Sequence, residues 1–250
     1  MVNTSIIYFF RVLFILLPFA HDSDYQDTKK AYSFDVQFTK QQPVIDALWN
    51  NKFWKDSEAQ RLNNYMGSRP SHFPDTQVKL KYDNNNIYVI FRVKDHYIKA
   101  VAKETNGRIC EDSCVELFFT PGPDVNRGYF NLETNCKGVF LLEYHLNNGK
   151  KHGFVDLKDT REIEMSHSLE KNVENEIREP LIWTIEYKIP ISILSKYMDV
   201  DKPASGVRWR ANFYKCGDKT SHPHWLTWAP VNFPKPNFHL PEFFGWLDFK

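Results

Sequence analysis

The chain has 250 residues, with 32 Lys and Arg against 31 Asp and Glu, so its formal net charge is +1. This near-balance, with no basic block, lacks the electrostatic footprint of a nucleic-acid binder and excludes nucleic acid as the expected partner. Hydrophobic residues at 42% and aromatics at 16% are ample for a packed core and exclude overall disorder, and all-β domains of this length commonly form one unit.

The N-terminus, "SIIYFFRVLFILLPFA", is an apolar run ending at Ala20 and followed by the polar "HDSDYQDTKK". That is the layout of a secretory signal peptide. It predicts a cleaved segment over 1–20, a polar lead over 21–35, one domain over 36–250, and a secreted, extracellular protein. Arg11 inside the run and Pro18 before Ala20 depart from the pattern, so an uncleaved membrane anchor is the alternative, although the segment is short for a full span. No second apolar run follows, and the remainder reads as soluble. The four cysteines, Cys110, Cys114, Cys136 and Cys216, form an even set compatible with two disulfides in an oxidising compartment. Three pairings are open. The preferred one joins Cys136 to Cys216, each near the end of an expected strand, and leaves Cys110 with Cys114. No neighbouring spacing completes a zinc motif around Cys110 and Cys114.

A short helix is expected around 57–65. "VKLKYDNNNIYVIFRVKD" (78–95) then alternates apolar and polar residues on both sides of a tight turn, the pattern of an antiparallel hairpin. Strands are expected at 114–120, 128–136, 138–146, 162–169, 183–190, 207–216, 224–230 and 244–250, with a helical turn at "ISILSKYM" after Pro190. The polar stretch 146–178 mixes strand with loop. About ten alternating strands separated by Gly, Pro, Asn and Asp predict an all-β, antiparallel β-sandwich of jelly-roll type.

No nucleophile elbow, phosphate loop, dinucleotide fingerprint or HExxH stands in the chain. A glycoside hydrolase needs only two carboxylates, and Asp112, Glu116, Glu133 and Glu143 lie on or beside expected strands. Alternation puts Glu116 on the face opposite Val115 and Leu117, where a solvated surface is the default for a charged residue. His222, His224 and His239 form a weak metal candidate. Asp83, Asp95, Asp112 and Asp124, at strand ends or turns, are calcium candidates without EF-hand spacing. Met66 or Met165 with a histidine could clasp a haem, although no spacing favours it.

The tail "HPHWLTWAPVNFPKPNFHLPEFFGWLDF" sets three tryptophans and five phenylalanines among five prolines, an arrangement suited to rings held rigidly for stacking. Phe233 and Phe238, between the prolines, are the surface-platform candidates. Trp228, Phe244 and Trp246, on expected strands, read as core.

The ordered series "VIDALWNNKFW", "VKLKYDNNNIYVIFRVKD", "EDSCVELFF", "GYFNLETNCKG", "WTIEYKIPISIL", "RANFYKC", "LTWAP" and "FHLPEFFGWLDF" resembles carbohydrate-binding module family 9, known from modules appended to xylanases. The resemblance covers about residues 36–250. It implies a β-sandwich, structural calcium in some members, and a non-catalytic site that clasps sugar chain ends between two tryptophans. The second of those tryptophans corresponds to Phe238; the first falls near Ile109 or Cys110 and is lost, with Phe73 or Tyr129 as rings that could replace it. The polar clamp resembles Glu116, Glu133 and Asn135, and the position of Glu133 is an arginine in the better-known modules. The resulting expectation is a secreted, non-enzymatic module that binds an unidentified glycan and requires no cofactor, with structural calcium as an optional addition. The alternatives are a glycoside hydrolase or accessory module in polysaccharide breakdown, and a sandwich that has lost its sugar site and serves haem or protein interaction.

Overall fold

Alternating segments of this chain become strands where their apolar face finds another sheet to cover it. The computed structural model describes residues 32–146, 149–171 and 173–250. The apolar run read as a signal peptide or anchor, and most of the polar lead, lie outside the described residues. The ordered unit spans Tyr32–Lys250. Its strands are β1 (Ser33–Phe38), β2 (Gln60–Arg61), β3 (Asn64–Tyr65), β4 (Asp75–Tyr82), β5 (Asn86–Asp95), β6 (Cys114–Thr120) and β7 (Tyr129–Asn135). There follow β8 (Phe140–Leu146), β9 (Lys151–Phe154), β10 (Glu164–His167), β11 (Leu181–Pro190), β12 (Arg208–Cys216), β13 (Trp225–Thr227) and β14 (Gly245–Phe249). Two single-turn α-helices, α1 (Leu157–Thr160) and α2 (Ile191–Leu194), and three 3₁₀ turns at Ile109–Glu111, Val125–Arg127 and Pro241–Phe243 complete the regular structure of the described residues. No helix among the described residues is long and apolar enough to cross a membrane.

The strands run in the order β10-β11-β5-β4-β1-β14-β12-β6-β7-β8-β9, and the fold is all-β as expected. β1 joins the two halves of the sandwich. Its first residues pair with β14 (Ser33 opposite Trp246) and its last with β4 (Gln37 opposite Lys81). Both ladders are parallel, which corrects the purely antiparallel expectation. The domain also begins ahead of position 36, because Phe34 and Val36 alternate inward from β1.

One face of each half meets the other in the main core. Val89, Phe91 and Val93 of β5 and Ile185 and Tyr187 of β11 face Val115, Leu117 and Phe119 of β6 and Trp209, Ala211 and Phe213 of β12. The expected hairpin is β4 and β5, joined by a turn that the Asp83 carboxylate holds by accepting from the backbone N–H groups of Asn85 and Asn86. The helix expected around 57–65 is absent. Gln60 pairs with Val78 and Asn64 with Thr227, and Leu62 between them is buried in the main core. Two sheet edges take this segment, because a helix so short has little stability of its own.

The outer faces are covered as well. Over β5 and β11, the segment of "VIDALWNNKFW" is held by buried Glu186, which accepts from the backbone N–H groups of Asp46 and Ala47 and from Trp54 Nε1. Trp54 then packs on Tyr88 and Ile90. Over β6, β7 and β12 the proline-rich tail forms the cover, and this second roof creates the site.

Gly128 sets the start of β7 beneath that roof. It has φ +119°, and a Cβ there would lie 2.1 Å from the carbonyl oxygen of His145. Gly128→Ala should therefore destabilise the domain by about 1–3 kcal/mol, read as a lower denaturant midpoint. An unchanged midpoint would show that the turn relaxes without strain.

Candidate functional site

Three neighbouring strands present alternate residues to the tail. Cys114, Glu116 and Phe118 point out from β6, Tyr129, Asn131 and Glu133 from β7, and Tyr214 and Cys216 from β12, opposite in direction to the core residues between them. Register aligns the polar members, with Glu116 opposite Glu133 and opposite Tyr214, and Cys114 opposite Cys216. Pro236, Asn237, Phe238 and His239 of the tail close over them and leave a cavity of about 210 Å³, also lined by Cys110, Asp218 and Trp225. This is smaller than the roughly 300–1,000 Å³ of pockets for drug-sized ligands. Larger hollows exist elsewhere, including one of about 700 Å³ beside Asn84 and Ser192, whose lining has no aromatic ring.

The expected clamp residues Glu116 and Glu133 both line the cavity, as does Phe238. Glu116 is 1% exposed, which corrects the solvated-face expectation: the tail covers the face that alternation turned outward. Phe238 is a buried wall rather than a surface platform. Its ring stacks on Tyr214 with centroids 4.0 Å apart and planes 10° from parallel. Phe233, the other platform candidate, is exposed and does not line the cavity. Asn135 does not line it either. Its carboxamide is buried, donates to Asp112 Oδ2 and accepts from the backbone N–H groups of Lys137 and Val139, and so holds the β7–β8 turn.

One more ring, which sequence reasoning missed, lines the cavity. Trp225 of β13 lines the cavity and donates its indole N–H to Asp218 at 2.8 Å. The alternation of "HWLTWAP" was its signal, since Leu226 turns into the main core and Trp225 must face the other way. Phe73 packs instead against Tyr65 and the main core, and Tyr129 lies buried under the tail, bonded to His239. Trp246, expected in the core, is part-exposed, with the guanidinium groups of Arg208 and Arg210 over its ring at 4.0 and 4.6 Å. Trp228 and Phe244 are buried as expected.

The cavity collects acid. No Lys or Arg lines it. Burial, reinforced by Glu133, pushes the Glu116 carboxyl well above its usual range. Burial likewise lifts Glu133 to about 7, against a hydrogen bond from Asn131, and raises Asp218 against its bond from Trp225. Burial and the surrounding carboxylates push the Cys110 thiol up to about 12. His239, beside Phe238, is held at about 4 by burial and by nearby His145. Carboxyl groups that are part-protonated near neutrality can both donate and accept hydrogen bonds.

All four cysteines are free thiols. The preferred Cys136–Cys216 pair is overturned by strand alternation: Cys136 lies in the main core, whereas Cys216 lies with Cys114 under the tail. Cys110 packs beside them without bonding Cys114.

The four calcium candidates are engaged apart from one another. Asp83 holds its turn, Asp95 pairs with His72 and Lys215, Asp112 accepts from the backbone N–H groups of Val101 and Ala102, and Asp124 accepts from Asn126. Among the described residues no three of these carboxylates converge. The histidine trio does not converge either. His222 stacks on Tyr97, buried His224 bonds Lys215, and His239 bonds Tyr129. Glu143 pairs with His145 at the side of β8.

Comparison with the curated proteins gives no match. Among solved structures, a candidate carbohydrate-binding protein from Bacteroides uniformis superposes with a TM-score of 0.79 at 29% identity, covering 88% of this chain and all of that one. Two structures of a carbohydrate-binding module of family 9 from Caldicellulosiruptor kristjanssonii, one with cellotriose and one with glucose, share the fold. Their TM-scores are 0.59, at 15% and 16% identity, over 88% of this chain and 94% and 96% of theirs. The family profile described as carbohydrate-binding family 9 matches residues 48–249. With that span inside the ordered unit, the chain belongs to carbohydrate-binding family 9.

Proposed function

We propose that this protein binds carbohydrate without cleaving it, and that the roofed cavity takes one terminal sugar residue. The observation that carries this reading is the conjunction of rings and buried carboxyl groups in a single small cavity. Trp225 and Phe238 offer apolar faces for a pyranose, and Glu116, Glu133 and Asp218 offer hydrogen-bond partners for its hydroxyls. The cavity volume favours one ring over an extended chain, and the family-9 modules of the same fold hold cellotriose and glucose. Glu133 replaces an arginine expected from the resemblance, so the preferred sugar differs in its polar contacts. In this reading the paired carboxyl groups bind hydroxyls and perform no acid–base step.

The test is a glycan-array screen of the chain from His21 onward, followed by calorimetry on any hit. Trp225→Ala should weaken binding by about 1.4–2.7 kcal/mol, ten- to hundredfold, through lost stacking and burial. Phe238 is a less clean probe because its ring also packs on Tyr214. Unchanged affinity in a folded Trp225→Ala variant would remove that ring from the site, and silence across the array would overturn the reading.

A further inference from the structure

At the floor of the cavity, which Glu116 and Cys216 line and behind which Cys114 is buried, stands a donor set that sugar binding does not require. Cys114, Glu116 and Cys216 come from two adjacent strands and are all buried, and one ligand atom of each lies within 4.8 Å of the others. The Cys216 sulfur is 3.0 Å, and the Cys114 sulfur 3.8 Å, from Glu116 Oε1. Tetrahedral zinc with bonds of about 2.3 Å to sulfur and 2.0–2.2 Å to oxygen places its donors about 3.6–3.8 Å apart. The two sulfur–oxygen separations, 3.0 and 3.8 Å, bracket that spacing.

The environment asks for a cation. Glu116 is fully buried, and its only hydrogen-bond donors among the described residues are the two thiols, which are weak ones. Glu133 and Asp218 add further carboxyl groups to the same cavity, and no Lys or Arg lines it. A disulfide between Cys114 and Cys216 would remove both donors from Glu116 and leave its carboxylate buried without any. A thiophilic divalent ion would instead bind both sulfurs and the carboxylate at once.

We infer that Cys114, Cys216 and Glu116 form a binding site for a thiophilic divalent cation of the zinc type, with a fourth position open to the cavity. Two thiolates and one carboxylate neutralise the ion and leave a net single negative charge. The open position faces the space shared by Cys110 and Glu133, where a water or a ligand hydroxyl can complete the tetrahedron. Strand register builds the site: Cys114 and Cys216 are directly opposite, and Glu116 is two residues along β6 on the same face.

The experiment uses the full ordered chain, reduced and stripped of metal by a chelator, and needs no sugar. Zn²⁺ should bind at one ion per chain in competition with a chromophoric chelator. Co²⁺ should give a near-ultraviolet thiolate-to-metal band of two-sulfur intensity, together with the visible bands of a tetrahedral site. Cys114→Ser, Cys216→Ser and Glu116→Gln should each weaken Zn²⁺ binding by at least ~10–100-fold, the loss that even outer-shell changes produce. Cys136→Ser should leave it unchanged. Circular dichroism of each variant separates lost ligation from lost fold, and the Co²⁺ band in the parent chain stands apart from any folding defect in a variant. Absence of that band, its survival in Cys114→Ser and Cys216→Ser, or a Cys114–Cys216 disulfide found by mass spectrometry in the natively isolated protein would each overturn the assignment.

Discussion

Lys215→Met is expected to destabilise the domain by about 3–5 kcal/mol, the cost of stranding one member of a buried ion pair. Lys215 points inward from β12 and meets Asp95 of β5 across the sandwich at 3.3 Å, with both side chains fully buried. The pair is not an ideal hydrogen bond. Asp95 Oδ2 has no well-aligned donor, because the ammonium makes its close bonds to the Cys216 carbonyl at 2.8 Å and to His224 Nε2 at 2.7 Å. Burial alone would raise the Asp95 carboxyl, but Lys215, with help from His72 and His224, outweighs it and holds the group at about 2. Without Lys215 that carboxylate keeps His72, at 2.6 Å, and the backbone N–H of His96, at 2.8 Å, both on Oδ1. The melting temperature should fall by on the order of 10 °C for a domain of this size. Adding Asp95→Asn should recover part of the loss, since removing both charges avoids the unpaired one. A melting temperature within a degree or two of the parent in Lys215→Met would show that water or His72 already neutralises Asp95.

His224→Gln is expected to change the pH dependence of stability by about 3 kcal/mol between pH 7 and pH 4. Burial, with the charge of Lys215 added, depresses the His224 imidazole to about 3, against about 6.5 when unfolded. Between those values the unfolded chain binds a proton that the folded chain does not. The stability contributed by neutral His224 is therefore complete above about pH 6.5 and is lost as pH falls towards 3, at about 1.4 kcal/mol per pH unit. Glu133, lifted to about 7, acts with the opposite sign: its contribution is lost as pH rises from about 4.3 to about 7. The parent's net slope thus mixes both, and the difference between parent and variant isolates the histidine. Glutamine can still accept the Lys215 hydrogen bond. Denaturant unfolding of both proteins at a series of pH values reads the difference directly, and parallel curves would show that His224 opens to water before it protonates.

Much of the fold was legible because strand formation leaves a short-range mark. Alternation marked the β4–β5 hairpin, β6, β7, β8, β11 and β12 to within three residues. The same alternation turned Glu116 and Glu133 away from the core, and the ordered motifs identified the family. The elements that escaped are those whose partner is distant or whose pattern is weak. β1 is too short to declare itself and is ordered by parallel pairing to β14 and β4, more than 40 residues away in either case. β9 is polar and leans on β8. The segment 57–65 holds good helix formers, yet Leu62 is worth more in the core than a short helix is on the surface.

The sequence by itself determined the strand periodicity, the family and the two-faced character of each strand, because these depend on neighbours two or a few residues apart. Only the tertiary structure decided what covers each face. It made the proline-rich tail a roof and Phe238 a wall stacked on Tyr214, and it set the Trp225 ring in the cavity lining. It set Cys114 against Cys216 rather than Cys216 against Cys136, and it drew Lys215 inward to Asp95. Each of these rests on contacts across 20 to more than 100 residues of chain, and alternation tells which way a side chain points without telling what waits there to meet it.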